Sequence, residues 1–283
     1  MQPFQRLPIE SLSNPPGDTS LKRGANQTAT RVENGLVARD NLMTKSDSSL
    51  RVLLWDLDGT LVRGQRYGVF KDYTVPVLTR VFGTAGSLGG MMVSGMTDLQ
   101  IVEEALRGEG ISREQIMARK DELLSCYIGE MKRATGNGAH LVEAMPGGRE
   151  VLQRVSEHPR YVSALLTGNI EPAAYLKLEI SGLAEFFQLP GAFGDSSFDR
   201  RDLPAIAAQR INEHLGASLT PEQFIVIGDT PNDIACARHF GARVLAVASG
   251  RMHSAEELRV HEPDALLEDL LDVELVMRTL ERI

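Results

Sequence analysis

Residues 52–61 read Val52-Leu53-Leu54-Trp55-Asp56-Leu57-Asp58-Gly59-Thr60-Leu61. An unbroken apolar run that closes on acidic and turn-forming residues suits a strand buried on both faces. Three later runs have the same form. Tyr161–Leu166 ends in Thr167-Gly168-Asn169, Phe224–Ile227 in Gly228-Asp229-Thr230, and Val244–Val247 in Ala248-Ser249-Gly250. A weaker fifth candidate lies around Phe187–Phe193.

Helical patterns alternate with these runs. An apolar stripe marks Arg149–Val155. Pro204–Leu215 and Pro231–Phe240 each begin on proline and stop at a glycine, Gly216 and Gly241; proline suits the first helical turn and glycine the position just past the end. Ser254 with Glu257, and Ser112 with Gln115, have capping-box spacing. Strands alternating with helices predict an α/β fold, a Rossmann-like doubly wound parallel sheet with helices on both faces. Between the first two strands, residues 64–145 are mostly helical in pattern: Leu99, Val102, Ala105 and Leu106 share one face, and Ile116, Leu123, Leu124 and Ile128 suggest another. A βα unit does not need so long an insertion, so it is expected to be a helical cap domain above the sheet. Residues 50–63 and 146–283 then form the core domain. Residues 1–49 are rich in Ser, Asn, Thr, Gly and Pro without a sustained period, and are expected to be a disordered extension, with Met43 as an alternative start.

Of the 283 residues, 42% are hydrophobic, ample for a sizeable core. The net charge of -8 argues against a nucleic-acid surface. No apolar run approaches the ~20 residues of a membrane span, and no export signal is visible, so a cytoplasmic location is the default expectation. Cys126 and Cys236 make neither a disulfide framework nor a zinc site.

In open parallel sheets, ligands bind outside the carboxyl ends of the strands. The reactive residue types fall there: Asp56 and Asp58 after the first strand, Thr167 after the second, Asp229 and Asp233 after the later Phe224–Ile227 run. Four carboxylates in one crevice repel each other and ionise together only around a cation; all-oxygen ligands with room for water and phosphate suit Mg²⁺. A carboxylate is also a competent nucleophile toward phosphorus, and a second one two residues on can handle protons.

These motifs together resemble the haloacid dehalogenase (HAD) superfamily. Asp56-Leu57-Asp58-Gly59-Thr60-Leu61 is similar to its first signature, Leu165-Leu166-Thr167-Gly168-Asn169 to its second and Ile227-Gly228-Asp229-Thr230-Pro231-Asn232-Asp233 to its fourth. The resemblance runs from Arg51 to the C-terminus. It implies Asp56 as nucleophile and metal ligand, and Asp58 as general acid/base with its carbonyl on the metal. It further implies Asp229 and Asp233 as metal ligands, and Thr167 as a phosphoryl ligand helped by backbone N–H groups near Leu57, Gly168 and Asn169. The family's third signature supplies a lysine or arginine; this chain has no lysine after Lys177, which leaves Arg200 and Arg201, with Arg200 favoured. An arginine fork can hold a carboxylate and a phosphate oxygen together.

The resemblance implies a Mg²⁺-dependent phosphomonoesterase acting on a small phosphorylated metabolite through an aspartyl-phosphate, similar to phosphoglycolate phosphatases. A phosphosugar mutase is the alternative. Dehalogenases and phosphonatases usually replace the second aspartate, which is present here as Asp58. A binding protein on the same fold should have lost one of Asp56, Asp58, Thr167 or Asp229, and none is lost. Other features have plainer readings. Thr97 or Asp98 is expected to cap a helix, with a lid residue touching substrate as the alternative. Gly83–Gly90 lacks the Gly-Lys-Ser/Thr ending of a phosphate loop and reads as a flexible connection. Tyr67, Gly68 and Phe70 suit hinge, specificity or packing roles.

Overall fold

The computed structural model describes residues 49–65, 68–137 and 141–283. The expected extension before Ser49 and the candidate residue Tyr67 lie outside the described residues. In chain order, β1 (Arg51–Trp55) leads into a short β2 (Val62–Gly64), followed by α1 (Val69–Phe82), α2 (Asp98–Leu106), α3 (Arg113–Ala118) and α4 (Lys120–Ala134). Then come β3 (Val142–Ala144), α5 (Gly148–Ser156), β4 (Tyr161–Leu165), α6 (Glu171–Ser181), α7 (Leu203–Leu215), β5 (Phe224–Gly228) and α8 (Pro231–Phe240). The chain ends with β6 (Arg243–Val247), α9 (Ala255–Arg259), β7 (Ala265–Leu267) and α10 (Val273–Arg282).

Five strands form one parallel sheet in the order β4-β1-β5-β6-β7. Its central strands are buried along nearly their whole length, from Val52 to Trp55 and from Phe224 to Gly228, which is why they read as unbroken apolar runs. From β1 the chain moves to one side of the sheet for β4, then to the other for β5, β6 and β7. Right-handed crossovers in opposite directions put helices on both faces. The reversal between β1 and β5 opens a crevice at their carboxyl ends, and Asp56 and Asp229 follow those two strands immediately.

The helix ends follow their local chemistry. Thr230 caps α8 in a capping box with Asp233, and α8 stops at Gly241 in the left-handed region. Capping boxes also open α3, at Ser112 and Gln115, and α9, at Ser254 and Glu257.

The expected fifth strand is a correction. Phe187–Phe193 is core-packing loop, joined to the sheet only through an isolated bridge between Leu166 and Ala192. Pro190-Gly191 breaks the run, because proline cannot donate to a ladder. The fifth strand is β7, three residues at the sheet edge.

The insertion enters and leaves the core as a ribbon. β2 and β3 pair antiparallel, Val62 opposite Ala144 and Gly64 opposite Val142, and Arg63 Nε lies 2.6 Å from Glu143 Oε1. Beyond it, α1 packs on α4: the Tyr73 and Tyr127 rings meet edge to face at 5.5 Å, and Thr74 Oγ1 lies 3.0 Å from Tyr127 Oη. Within the Gly83–Gly90 connection, Leu88 is fully buried and opens a single 3-10 turn.

Candidate active site

The turn after β1 sets the site. Asp56 N–H donates to Ile227 O at 2.8 Å, continuing the ladder by one residue, so the Asp56 side chain starts from a fixed backbone. Gly59 then takes φ 98, a left-handed value that glycine adopts without strain. A Cβ there would run into the Asp229 carboxylate. Gly250, after β6, approaches the same carboxylate from another direction and would collide with it as alanine. Thr60 Oγ1 donates to Asp229 Oδ1 at 3.3 Å.

Asp56, Asp229 and Asp233 are all buried, and each offers a carboxylate oxygen within 4.8 Å of the others. Asp233 has two duties. Its Oδ2 accepts from Thr230 N at 3.0 Å and from Thr230 Oγ1 at 2.7 Å, closing the capping box of α8. Its Oδ1 faces Arg200, whose Nη2 donates to it and, at 2.7 Å, to Asp56 Oδ1. Burial works against the Arg200 charge, but Asp233 and Asp56 outweigh it and hold the guanidinium above its ordinary value.

One guanidinium among three buried carboxylates leaves excess negative charge. Burial, and then Asp233, pushes Asp56 up to about 7 against the opposing pull of Arg200. Burial, Asp56 and Asp233 raise Asp229 well above the carboxylate range. A cation would relieve this, and an all-carboxylate donor set suits a hard ion. This group could hold a metal.

Asp58 stands apart. Its side chain is 44% exposed and faces the crevice. Oδ2 accepts from Lys177 Nζ at 2.5 Å and from Asn169 Nδ2 at 2.6 Å. Asn169 also accepts from Lys177 Nζ at 2.7 Å and donates to Thr167 Oγ1 at 2.8 Å. Thr167 is fully buried behind them. Neither the Leu57 nor the Gly168 N–H has an acceptor among the described residues, and Arg200 Nε is a buried donor without a partner. Gly168 and Arg200 border a cavity of about 470 Å³ whose lining also includes Asp56, Asp58, Thr167, Lys177 and Asp229.

Most of the residues singled out in the sequence converge here: Asp56, Asp58, Leu57, Thr167, Gly168, Asn169, Arg200, Asp229 and Asp233. Arg201 does not. It is exposed, forks onto Asp199 at 2.6 and 3.0 Å, and lines a separate surface depression. The two arginines lie on a 3-10 turn capped by Asp199, where successive side chains point about 120° apart, so only one can face inward. Lys177 was missed. The signal was available: it shares a face of α6 with Ala173, Ala174 and Leu178, all buried, and a lysine on such a face is almost never buried unless paired.

The insertion reaches this site through residues 94–99. Thr97 caps α2 by accepting from Gln100 N at 3.1 Å. Asp98 N–H donates to Gly168 O at 2.7 Å, and Asp98 Oδ2 accepts from Ile170 N at 2.8 Å. Leu99 N–H donates to Gly194 O at 3.3 Å, and Asn232 Nδ2 donates to Gly95 O at 3.0 Å. Burial raises the Asp98 carboxyl to about 6.

Residues 203–273 match the family model described as HAD-hydrolase-like, a segment that contains Asp229 and Asp233. A phosphoglycolate phosphatase of Vibrio vulnificus is 24% identical over 251 residues, 82% of this chain and 99% of its own length. Among solved structures, a hydrolase from Pseudomonas syringae superposes with a TM-score of 0.58 at 23% identity, covering 83% of this chain and 99% of its own. A Bacteroides vulgatus protein provisionally described as a β-phosphoglucomutase superposes with a TM-score of 0.57 at 19% identity, covering 82% and 89%. In its five-stranded parallel sheet, the acidic group at the β1–β5 crevice and these likenesses, the chain is similar to haloacid dehalogenase-like hydrolases.

Proposed function

We propose that the protein is a Mg²⁺-dependent phosphomonoesterase that hydrolyses a small phosphorylated metabolite through an aspartyl-phosphate on Asp56. One observation carries the reading: Asp56 is buried at the mouth of a cavity, beside Asp229, Asp233 and the Arg200 guanidinium. Full-length likeness to phosphoglycolate phosphatases supports it. Asp56, Asp229, Asp233 and the Asp58 carbonyl would hold the ion, which when bound neutralises negative charge on carboxylates and phosphoryl oxygens.

The remaining chemistry falls to the chain's own residues. Asp56 attacks phosphorus as the bond to the leaving oxygen breaks, and Asp58 gives that oxygen its proton. Water then attacks the aspartyl-phosphate, passes a proton to Asp58 and releases inorganic phosphate, which restores both carboxyls. Thr167, the N–H groups of Leu57 and Gly168, and Arg200 with its unpartnered Nε supply donors for the phosphoryl oxygens. Helices α1 to α4 act as a cap that excludes water and selects the substrate.

Acid quench during turnover of a ³²P-labelled phosphomonoester should trap phosphate on the protein, and Asp56→Asn should abolish both the label and turnover. Labelling of Asp56→Asn would sink the reading. Isomerisation of a sugar phosphate without phosphate release would point to the mutase alternative; likeness to the Bacteroides protein bears on fold alone.

A further inference from the structure

We infer that Lys177 is a positioning residue for proton transfer: with Asn169 it locks Asp58 so that one carboxylate oxygen, Oδ1, is presented to the substrate. The inference rests on the reading of Asp58 as proton shuttle and goes beyond it.

Lys177 Nζ reaches Asp58 Oδ2 at 2.5 Å and Asn169 Oδ1 at 2.7 Å, while Asn169 Nδ2 reaches the same Asp58 oxygen at 2.6 Å. Two donors fixed to each other thus converge on one oxygen. No described residue donates to Oδ1, and Asp58 lines the cavity. The Lys177 side chain is only 6% exposed, whereas Asp58 is 44% exposed. Asp58 is therefore solvated enough to need no counter-ion, and the buried partner is the one whose charge opposes folding. An apolar side chain at 177 would pack on the Ala173, Ala174 and Leu178 face without that opposition. What the ammonium adds is orientation. An aspartate side chain otherwise turns about both of its torsions, and a proton must travel along a hydrogen bond of set length and direction. Lys177 is distinct from Arg200, which pairs with Asp56 and Asp233 instead of Asp58.

The test is a double-mutant cycle on the full chain with Mg²⁺, using glycerol 2-phosphate as an alkyl substrate and p-nitrophenyl phosphate as an aryl one. Lys177→Met should lower kcat on glycerol 2-phosphate by about 100-fold, within the range for a lost general acid, with KM changed less than about 3-fold because substrate binding is untouched. The aryl substrate, whose leaving group needs no proton, should lose far less. Added to Asp58→Asn, Lys177→Met should cost nothing further, since the two act as one unit. Lys177→Gln, which keeps a donor, should fall between Met and the parent, and serves if the Met variant melts early. Losses that multiply in the double variant, a rise in KM with kcat preserved, or equal losses on both substrates would overturn the inference while leaving Asp58 in place. If Asp58→Asn alone spares the alkyl substrate, the proton-shuttle reading falls and the role of Lys177 falls with it.

Discussion

If Mg²⁺ binds as proposed, its affinity should depend steeply on pH, because the ion and protons would compete for the same carboxylates. Burial and Asp233 push Asp56 from 3.8 up to about 7, and Asp229 moves in the same direction. Without metal, the folded protein keeps a proton that the unfolded chain gives up. A folded-state pKa above the unfolded one stabilises most below about pH 4, and that contribution is lost as pH rises through about 7. Bound Mg²⁺ reverses this, since it must expel the proton to bind. With one proton released, apparent affinity falls about tenfold per pH unit below 7, so Kd should rise roughly 100-fold between pH 7.5 and pH 5. Magnesium at about 100 times its Kd at pH 7.5 should then add about 2.7 kcal/mol of stability, but only about 0.4 kcal/mol at the same concentration at pH 5. For a domain of this size the first figure is about 5–11 °C in Tm. Melting curves of EDTA-treated protein across pH, with calorimetry in two buffers to count released protons, measure both quantities. Asp56→Asn should flatten the pH dependence. An affinity unchanged between pH 5 and pH 7.5, with no proton released, would refute the shared-carboxylate argument.

The two neighbouring arginines should behave differently. Arg200→Met removes the donor between Asp56 and Asp233 and should lower kcat by at least ~100-fold, whereas Arg201→Met breaks only an exposed pair with Asp199 and should change it less than ~3-fold; steady-state kinetics on the same phosphomonoester decide. Asp98→Ala leaves the Ile170 N–H without its acceptor, which should cost ~1–3 kcal/mol, read as a Tm lower by ~2–12 °C; an unchanged melting curve would show that water replaces the carboxylate fully.

The sheet was legible in the sequence wherever a strand is buried on both faces, since Val52–Trp55 and Phe224–Ile227 then carry no polar interruption. Legibility failed at the margins. β7 and the β2–β3 ribbon are three residues each, too short to display a period. Phe187–Phe193 deceived because its side chains are buried while its backbone, interrupted at Pro190-Gly191, cannot pair. In the site, Asp56 and Asp229 could be found because they directly follow strands, and Asp58 and Asp233 because they lie within five residues of those strand ends. Lys177 sits two turns into a helix, 119 positions from Asp58; only the fold brings them together, and nothing local in α6 names its partner. The choice between Arg200 and Arg201 likewise depends on the phase of one 3-10 turn, which the adjacent Asp199 cap sets.

The seam between insertion and core bears on how portable the insertion is. Gly168 makes room for the turn ahead of α2, and Gly194 for Gly168 and the start of α2: a methyl on Gly168 would strike the Met96 carbonyl, and one on Gly194 the Gly168 carbonyl and the Asp98 N–H. Ser94–Asp98 therefore mates with the core by main-chain fit, in a notch that only side-chain-free positions leave open. Helices grafted from a relative at the β2–β3 ribbon would join covalently and still sit wrongly unless this turn and both glycines travelled as a matched set. Such a lock confines easy diversification to α1, α3 and α4, which can vary in length and surface while the turn stays as it is.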